Sequence, residues 1–197
     1  MSARSVEFFF DFGSPASYLA YTQMPALAQQ QGAELVYRPM LLGGVFKATG
    51  NVSPVSIPAK GRWMGQDISR WAQRYGVPFE FNPFFPINTL TLMRGAVGLQ
   101  LREPARLARY MACVFEAIWV KGENLGDPAV LASMLTAHGF DAEAFVSLVG
   151  DAEVKQALIA TTEEAVARGV FGAPTFFVGE QMFFGQDRLD FVREALA

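Results

Sequence analysis

The feature that most constrains the fold is the passage VEFFFDFGSPASYLAY, residues 6–21. Residues 6–12 form an apolar run with several aromatics, which predicts a strand buried on both faces. Ser14 has the chemistry of a helix N-cap and Pro15 suits the first helical position, so a helix is predicted from there to about Gln31, ended by Gly32. Residues 34–40 predict a second strand. Because the connections are short, the three elements predict a β-α-β unit with a parallel strand pair.

The middle of the chain is predicted to be helical. Residues 41–60 are rich in Gly, Pro, Ser and Asn and predict a long loop of the kind that often acts as a lid. Helices are predicted at residues 61–75, 89–101 (capped by Asn88), 104–121, 129–138, 142–149 and 152–168. The last three have the clearest ends, since Asp127, Asp141 and Asp151 precede them and Gly139, Gly150 and Gly169 follow them.

Strand character returns only near the end of the chain. Thr175–Val178 and residues 182–184 predict two strands, and residues 187–196 predict a terminal helix. The predicted order is therefore β-α-β, a long helical insertion, and then β-β-α.

Composition limits the class of protein. The chain has 197 residues, 51% of them hydrophobic, and a net charge of −3. No apolar run reaches the ~18–20 residues of a bilayer span, and Glu7 and Asp11 interrupt what would be a signal peptide's apolar region. The acidic balance argues against nucleic acid. With one cysteine and one histidine, a disulfide within the chain or a Cys/His metal site is not expected. We therefore expect a cytoplasmic, metal-free globular protein.

Ser14 occupies the position where many small α/β proteins carry the first cysteine of a Cys-x-x-Cys pair, and Ser17 occupies the second. A helix N-terminus favours an anion and lowers the pKa of a cysteine thiol from about 8.5, whereas a serine hydroxyl there stays neutral. Without a neighbouring base Ser14 is a poor nucleophile, and His138 lies in an ordinary amphipathic helix. A neutral hydroxyl can instead donate a hydrogen bond to a thiolate brought in from outside. The alternative is a plain helix cap.

Three other groups of residues are candidates for ligand binding. In GVFGAPTFFV, Ala173-Pro174 directly precedes a predicted strand. A cis peptide bond at this position would expose the backbone of Ala173 to a bound peptide. The alternative is an ordinary trans proline at the start of a strand. Asp187 is predicted to cap the terminal helix and, if it faces the same cleft, to hold an ammonium group. Asn51, Lys60 and Arg62 either meet a ligand carboxylate or are solvated surface side chains.

Taken together, the strand followed by S-P-x-S, the helical insertion, G-x-F-G-x-P-T-F and the closing F-G-x-D-R resemble one family over nearly the whole chain. The chain resembles the glutathione-dependent 2-hydroxychromene-2-carboxylate isomerases, which are sister to the kappa-class glutathione transferases within the DsbA-type branch of the thioredoxin superfamily. The resemblance implies an α/β thioredoxin-like fold with a long helical insertion. Residues 1–42 and 169–197 would form the thioredoxin-like domain and residues 43–168 the helical subdomain.

The resemblance also implies a cofactor and a site. Glutathione would supply the sulfur that the chain lacks, and Ser14 would hold its thiolate as the catalytic residue. The implied glutathione-binding residues are Asn51, Lys60, Ala173, Pro174 (cis), Gln186 and Asp187, and the implied substrate-binding residues are Tyr18 and Asn88. Gly13 departs from the family, which usually has a bulkier residue before the serine.

The activity implied by the resemblance belongs to aromatic degradation. A 2-hydroxychromene-2-carboxylate-like substrate, a small aromatic carboxylate, would be isomerised to a trans-o-hydroxybenzylidenepyruvate-like product, with glutathione acting as a covalent catalyst that is not consumed. A kappa-like transferase that conjugates glutathione to electrophiles is the alternative, and a non-catalytic peptide-binding relative of the oxidoreductases is another. Relatives suggest a homodimer. Cys113 is expected to be a bystander that acts as a small hydrophobe.

Overall fold

The computed structural model describes residues 4–197. Its strands are β1 (Ser5–Phe10), β2 (Glu34–Pro39), β3 (Thr175–Val178) and β4 (Gln181–Phe184). Its α-helices are α1 (Pro15–Gln30), α2 (Leu42–Thr49), α3 (Pro58–Tyr75), α4 (Leu90–Arg102), α5 (Pro104–Trp119), α6 (Pro128–Ala137), α7 (Ala142–Gly150), α8 (Ala152–Ala167) and α9 (Leu189–Leu196). Short 3-10 turns lie at Pro54–Ser56 and Gln186–Arg188.

The strands form one mixed sheet in the order β2-β1-β3-β4. β1 and β2 are parallel, with Ser5 opposite Glu34, as the short β-α-β connections predict. β3 is antiparallel to β1, with Phe176 opposite Phe8, and β4 continues the sheet as the second arm of a hairpin. The two ends of the chain thus share one sheet, which confirms the predicted thioredoxin-like arrangement.

Strand β1 is covered on both faces, as its apolar run predicts. Phe8 and Phe10 belong to the main core, to which α1, α4 and α5 contribute. Phe9 points the other way and packs with Phe177, with Val45 of α2 and with residues of α8. Because successive side chains of a strand alternate between faces, a strand covered by helices on both sides carries apolar residues on both faces; the charged Glu7 of β1 is paired with Arg38 and Arg168.

The aspartate caps are confirmed at the three predicted helix starts. Asp127 accepts one backbone N–H of the first turn of α6, and Asp141 and Asp151 each accept two, from α7 and α8 respectively. Gly139 and Gly169 have φ values of +73° and +87°, the left-handed conformation that lets the chain leave a helix. Local sequence therefore fixes these boundaries.

The predicted loop at residues 41–60 is wrong. That segment contains α2 and the turn at Pro54–Ser56, and α3 already begins at Pro58. The first N–H groups of α2 are satisfied from remote parts of the chain: the Asp11 carboxylate accepts from Leu42 at 2.8 Å, and the Thr162 hydroxyl accepts from Leu41 at 3.0 Å. Tertiary contacts thus stabilise a helix that carries two adjacent glycines.

Two predicted caps differ in detail. α4 starts at Leu90, and the side-chain oxygen of Asn88 accepts the N–H of that residue at 3.1 Å, although Thr89 holds the N-cap position. Asp187 does not cap the terminal helix. It lies within a 3-10 turn, α9 begins only at Leu189, and its carboxylate pairs with Arg188.

Within the described residues, no helix is both long and apolar enough to cross a bilayer. The proposed division into residues 1–42 with 169–197 and residues 43–168 stays a prediction.

Candidate active site

A cleft of about 470 Å³ lies where the end of β1 and the start of α1 meet the beginning of β3, facing α2 and α3. It contains every residue that the sequence assigned to thiolate or glutathione binding. These lining residues are Ser14, Asn51, Lys60, Ala173, Pro174, Gln186 and Asp187. Residues that are far apart in sequence therefore converge on one cavity.

Ser14 is the N-cap of α1. Its hydroxyl oxygen accepts the backbone N–H of Ser17 at 3.1 Å and its hydroxyl proton is donated to the carbonyl oxygen of Ala173 at 3.0 Å. The side chain is only 5% exposed. The hydroxyl thus joins the positive end of α1 to the backbone that precedes β3.

The Ala173-Pro174 peptide bond is cis. The Pro174 carbonyl accepts the N–H of Gly185 at 3.0 Å, which ties this corner to the segment after β4. A Cβ added to Gly172 would lie 2.7 Å from the ring of Phe184, so the backbone and this aromatic wall are in close contact. The corner is therefore held between Ser14 on one side and the β4 end on the other.

Asp11 is a site-supporting residue that the sequence reasoning missed. Its buried carboxylate accepts the N–H of Gly13 at 2.8 Å and the N–H of Leu42 at 2.8 Å. Burial raises the pKa of this carboxyl above its ordinary value, against the lowering effect of those donors. The signal in the sequence is a carboxylate within the apolar run, two residues before Gly13. Asp11 fixes the loop before Ser14 relative to α2.

Gly13, the departure from the family pattern, lines the cleft beside Ser14. A Cβ at this position would lie 3.1 Å from the Thr89 methyl group. That methyl group fills the space on this side, so a larger residue at position 13 requires Thr89 to move.

The polar rim of the cleft carries opposite charges at separate points. Lys60 is exposed and has no ion pair within residues 4–197, whereas the exposed Asp187 pairs with Arg188 at 2.5 Å. Asn51 donates from Nδ2 to the Phe171 carbonyl at 2.8 Å, which joins the segment after α2 to the approach to β3. The rim thus has a cation and a carboxylate, and the same cleft contains the backbone corner.

Apolar and aromatic side chains form the remaining walls. Trp63 is 60% exposed and Phe184 is 42% exposed, although both line the cavity. The other large apolar lining residues include Phe46, Met64, Phe85 and Phe171. Such exposed aromatic surface around a cavity is typical of a binding site for an apolar or aromatic ligand. The sequence reasoning did not identify these walls, because each residue is unremarkable alone and only the fold brings them together.

Tyr18, Asn88 and Arg62 lie outside this lining. The Tyr18 hydroxyl donates to the Pro78 carbonyl at 2.6 Å, and its ring packs near Phe79 in the protein interior. The Asn88 side chain is engaged at the start of α4, as described above. Arg62 lines a separate shallow depression beside α3. The structure thus gives Tyr18 and Asn88 local partners instead of a place in the cleft.

The cleft joins a polar rim and a backbone corner to aromatic walls. Cys113 lies in the main core on α5, and burial raises the pKa of its thiol. Among the described residues, no group of three or more His, Cys, Asp and Glu side chains is arranged to hold a metal ion. The groups that the chain itself brings to the cleft are hydrogen-bond donors, a cation, a carboxylate and the N-terminus of α1.

Comparison with known proteins agrees with this geometry. The profile of the DSBA-like thioredoxin domain matches residues 5–197. A 2-hydroxychromene-2-carboxylate isomerase from Sphingobium xenophagum is 33% identical over 98% of both chains. Human glutathione S-transferase kappa 1 is 28% identical over 98% of this chain and 91% of that protein. A solved 2-hydroxychromene-2-carboxylate isomerase structure superposes with a TM-score of 0.85 at 33% identity, covering 98% of this chain and 94% of the other. The chain therefore belongs to the DSBA-like thioredoxin-domain family and, within it, to the 2-hydroxychromene-2-carboxylate isomerase family of enzymes.

Proposed function

We propose that this enzyme is a glutathione-dependent isomerase of aromatic-degradation intermediates, with Ser14 as the group that stabilises the glutathione thiolate. The observation that carries the proposal is the place of the Ser14 hydroxyl: at the N-terminus of α1, inside the cleft and 3.0 Å from the Ala173 carbonyl oxygen. The chain's own thiol, on Cys113, lies in the core and not at this position.

The residues present fit glutathione. This tripeptide carries two carboxylates, one ammonium group and a thiol. Lys60 provides a cation for a carboxylate, and Asp187 a carboxylate for the ammonium group. The Ala173 backbone, at the cis-proline corner, is the proposed pairing surface for the peptide, and Gln186 and Asn51 line the same cleft. The glutathione S-transferase names among the relatives also support glutathione as the cofactor.

When bound, glutathione supplies the nucleophilic sulfur that adds to a conjugated substrate and is released unchanged. The task of the chain is to keep that sulfur ionised. The N-terminus of α1 favours negative charge nearby, and the Ser14 hydroxyl donates a hydrogen bond to it. For this, the Ser14 hydroxyl proton must turn from the Ala173 carbonyl to the sulfur, which requires rotation of one side-chain torsion.

The aromatic walls are proposed to hold the organic substrate. Trp63, Phe171 and Phe184 offer flat apolar surface next to the polar rim. We propose a 2-hydroxychromene-2-carboxylate-like substrate and a trans-o-hydroxybenzylidenepyruvate-like product, in keeping with the relatives' names. The proposed compartment is the cytoplasm, where glutathione keeps thiols reduced. The homodimer stays a prediction.

A transferase that conjugates glutathione is the second candidate, favoured by the kappa-class relatives at 28–29% identity over nearly the whole chain. Stoichiometry separates the two. With glutathione at one hundredth of the substrate concentration, the isomerase brings all the substrate to the isomerisation equilibrium and leaves the free thiol concentration unchanged. Conversion that stops after one equivalent of glutathione, with loss of free thiol, would establish the transferase. No glutathione dependence at all would refute both.

A further inference from the structure

A second cavity, of about 420 Å³, lies between α2, α4 and α8. It is distinct from the active-site cleft, because α2 separates the two: Leu42 and Phe46 line the cleft, whereas Gly44 and Ala48 line the second cavity. The proposed function does not use it. Its volume is within the range of small-molecule sites, roughly 300–1,000 Å³.

The walls of this second cavity are aliphatic. They are formed mainly by Leu41, Leu90, Leu158, Ile159 and Val166. The contrast with the aromatic walls of the active-site cleft is clear, since no Phe, Tyr or Trp is among the residues that line it. Such a surface suits a flexible hydrocarbon chain better than a flat ring.

Arg94 of α4 places a cation on this aliphatic wall. Its Nε atom is buried and has no hydrogen-bond partner in the described part of the chain, and its guanidinium forms no ion pair there. A guanidinium that no protein acceptor satisfies can pair with an acceptor supplied from outside the chain. Lys155 adds a second cation to the lining, and the carboxylate of the exposed Glu163 is the opposing charge.

We propose that the second cavity binds an aliphatic carboxylate, with the carboxylate on Arg94 and the chain against the leucine, isoleucine and valine walls. A guanidinium binds a carboxylate through two parallel hydrogen bonds. An uncharged chain of the same length buries the same apolar surface and leaves Arg94 unpaired. A chain with a cationic end meets Arg94 and Lys155 as like charges.

Titration calorimetry with octanoate, octan-1-ol and octylammonium tests this charge preference. We expect octanoate to bind at one site per chain and at least tenfold more tightly than either of the other two compounds. Equal affinity for octanoate and octan-1-ol would overturn the proposal, because apolar burial alone would then explain binding. Absence of octanoate binding would overturn it as well.

Variants locate the site. Arg94→Met keeps most of the side-chain volume and should weaken octanoate binding by about ten- to a hundredfold. The matched control, Arg109→Met, removes an exposed arginine of α5 that is not part of the cavity, and should leave the affinity unchanged. Ala167→Phe fills the cavity from an exposed position at the end of α8 and should abolish binding without touching a charge.

Two further outcomes would refute the assignment. Lys60→Met changes only the active-site cleft, so a loss of octanoate affinity in that variant would place the ligand there. Light scattering of wild type and Arg94→Met reports the number of chains per particle. A change between them would mean that a second copy of the chain, not a carboxylate, covers this cavity. Thermal unfolding of each variant confirms that the affinities compare folded proteins.

Discussion

Replacement of Gly95 by alanine tests the packing of α4 against α5 and α7. A Cβ built on Gly95 would lie 2.5 Å from the Tyr110 hydroxyl oxygen and 2.6 Å from two ring carbons of Phe145. Both neighbours are rigid and buried, and the Tyr110 hydroxyl is engaged with the Leu92 carbonyl at 3.0 Å. None of these atoms can withdraw without displacing a helix, so the substitution overpacks the interface.

The magnitude follows from two opposing terms. Overpacking of this kind costs about 1–3 kcal/mol, and three contacts under 3.0 Å place Gly95→Ala at the upper end. Against this, alanine stabilises a helix interior by roughly 1 kcal/mol relative to glycine. The free energy of unfolding should therefore fall by about 2 kcal/mol, equivalent to a decrease of roughly 4–8 °C in melting temperature for a chain of this size.

Gly65→Ala is the matched control. Gly65 also lies inside a helix, α3, but the only atom near its added Cβ is a ring carbon of Phe81 at 4.0 Å. This variant should gain about 0.5–1 kcal/mol. Urea unfolding followed by circular dichroism measures both. Equal effects of the same sign, or a Gly95→Ala variant as stable as wild type, would refute the proposed packing of the α4 interface.

Two further predictions concern buried groups that do not contact the substrate. Cys113→Ala should leave glutathione-dependent turnover within about twofold of wild type, since the thiol lies in the core on α5; a folded variant without turnover would show that this sulfur takes part. Asp11→Asn removes a carboxyl whose pKa in the folded protein is raised above 3.8 by burial. The protonated carboxyl therefore contributes most to stability below pH 3.8, and this contribution is lost as the pH rises through the folded pKa. The difference in unfolding free energy, wild type minus variant, should therefore decrease from about pH 4 upward and then become constant, whereas an increase with pH would contradict the raised pKa.

The elements with local signals could be predicted from the sequence. Asp141 and Asp151 accept N–H groups from residues two and three positions later, so each cap is encoded within one turn. The β1 strand follows from its own apolar run. These interactions need no knowledge of the rest of the chain.

α2 could not be predicted in this way, because its stabilising contacts are distant in sequence. The Asp11–Leu42 contact spans 31 positions and the Thr162–Leu41 contact 121 positions. Local propensity, dominated by Gly43 and Gly44, favours a loop, and tertiary contacts reverse that preference.

For the same reason, only part of the candidate site could be predicted from the sequence. Its polar residues lie in motifs that can be read directly, such as the Ser14 cap and the Ala173-Pro174 corner. The aromatic walls and the second cavity come from side chains on separate elements, which only the fold brings together. The resemblance implies that Tyr18 contacts the substrate, and this stays a prediction; in the structure the Tyr18 hydroxyl reaches the Pro78 carbonyl, a contact across 60 positions.

The central claim is that the Ser14 hydroxyl stabilises a glutathione thiolate, and the ultraviolet thiolate absorbance of bound glutathione against pH tests it directly. Ser14→Ala removes one charge-assisted hydrogen bond of about 1.5–3 kcal/mol, so the pKa of the bound thiol should rise by about 1–2 units at 1.36 kcal/mol per unit. Ser17→Ala is the control. It removes a buried hydroxyl in the same turn of α1, and that hydroxyl has no hydrogen-bond partner among the described residues. The account predicts a displaced titration curve for Ser14→Ala and an unchanged one for Ser17→Ala. Coincident curves for wild type and Ser14→Ala would contradict it and reduce Ser14 to a helix cap.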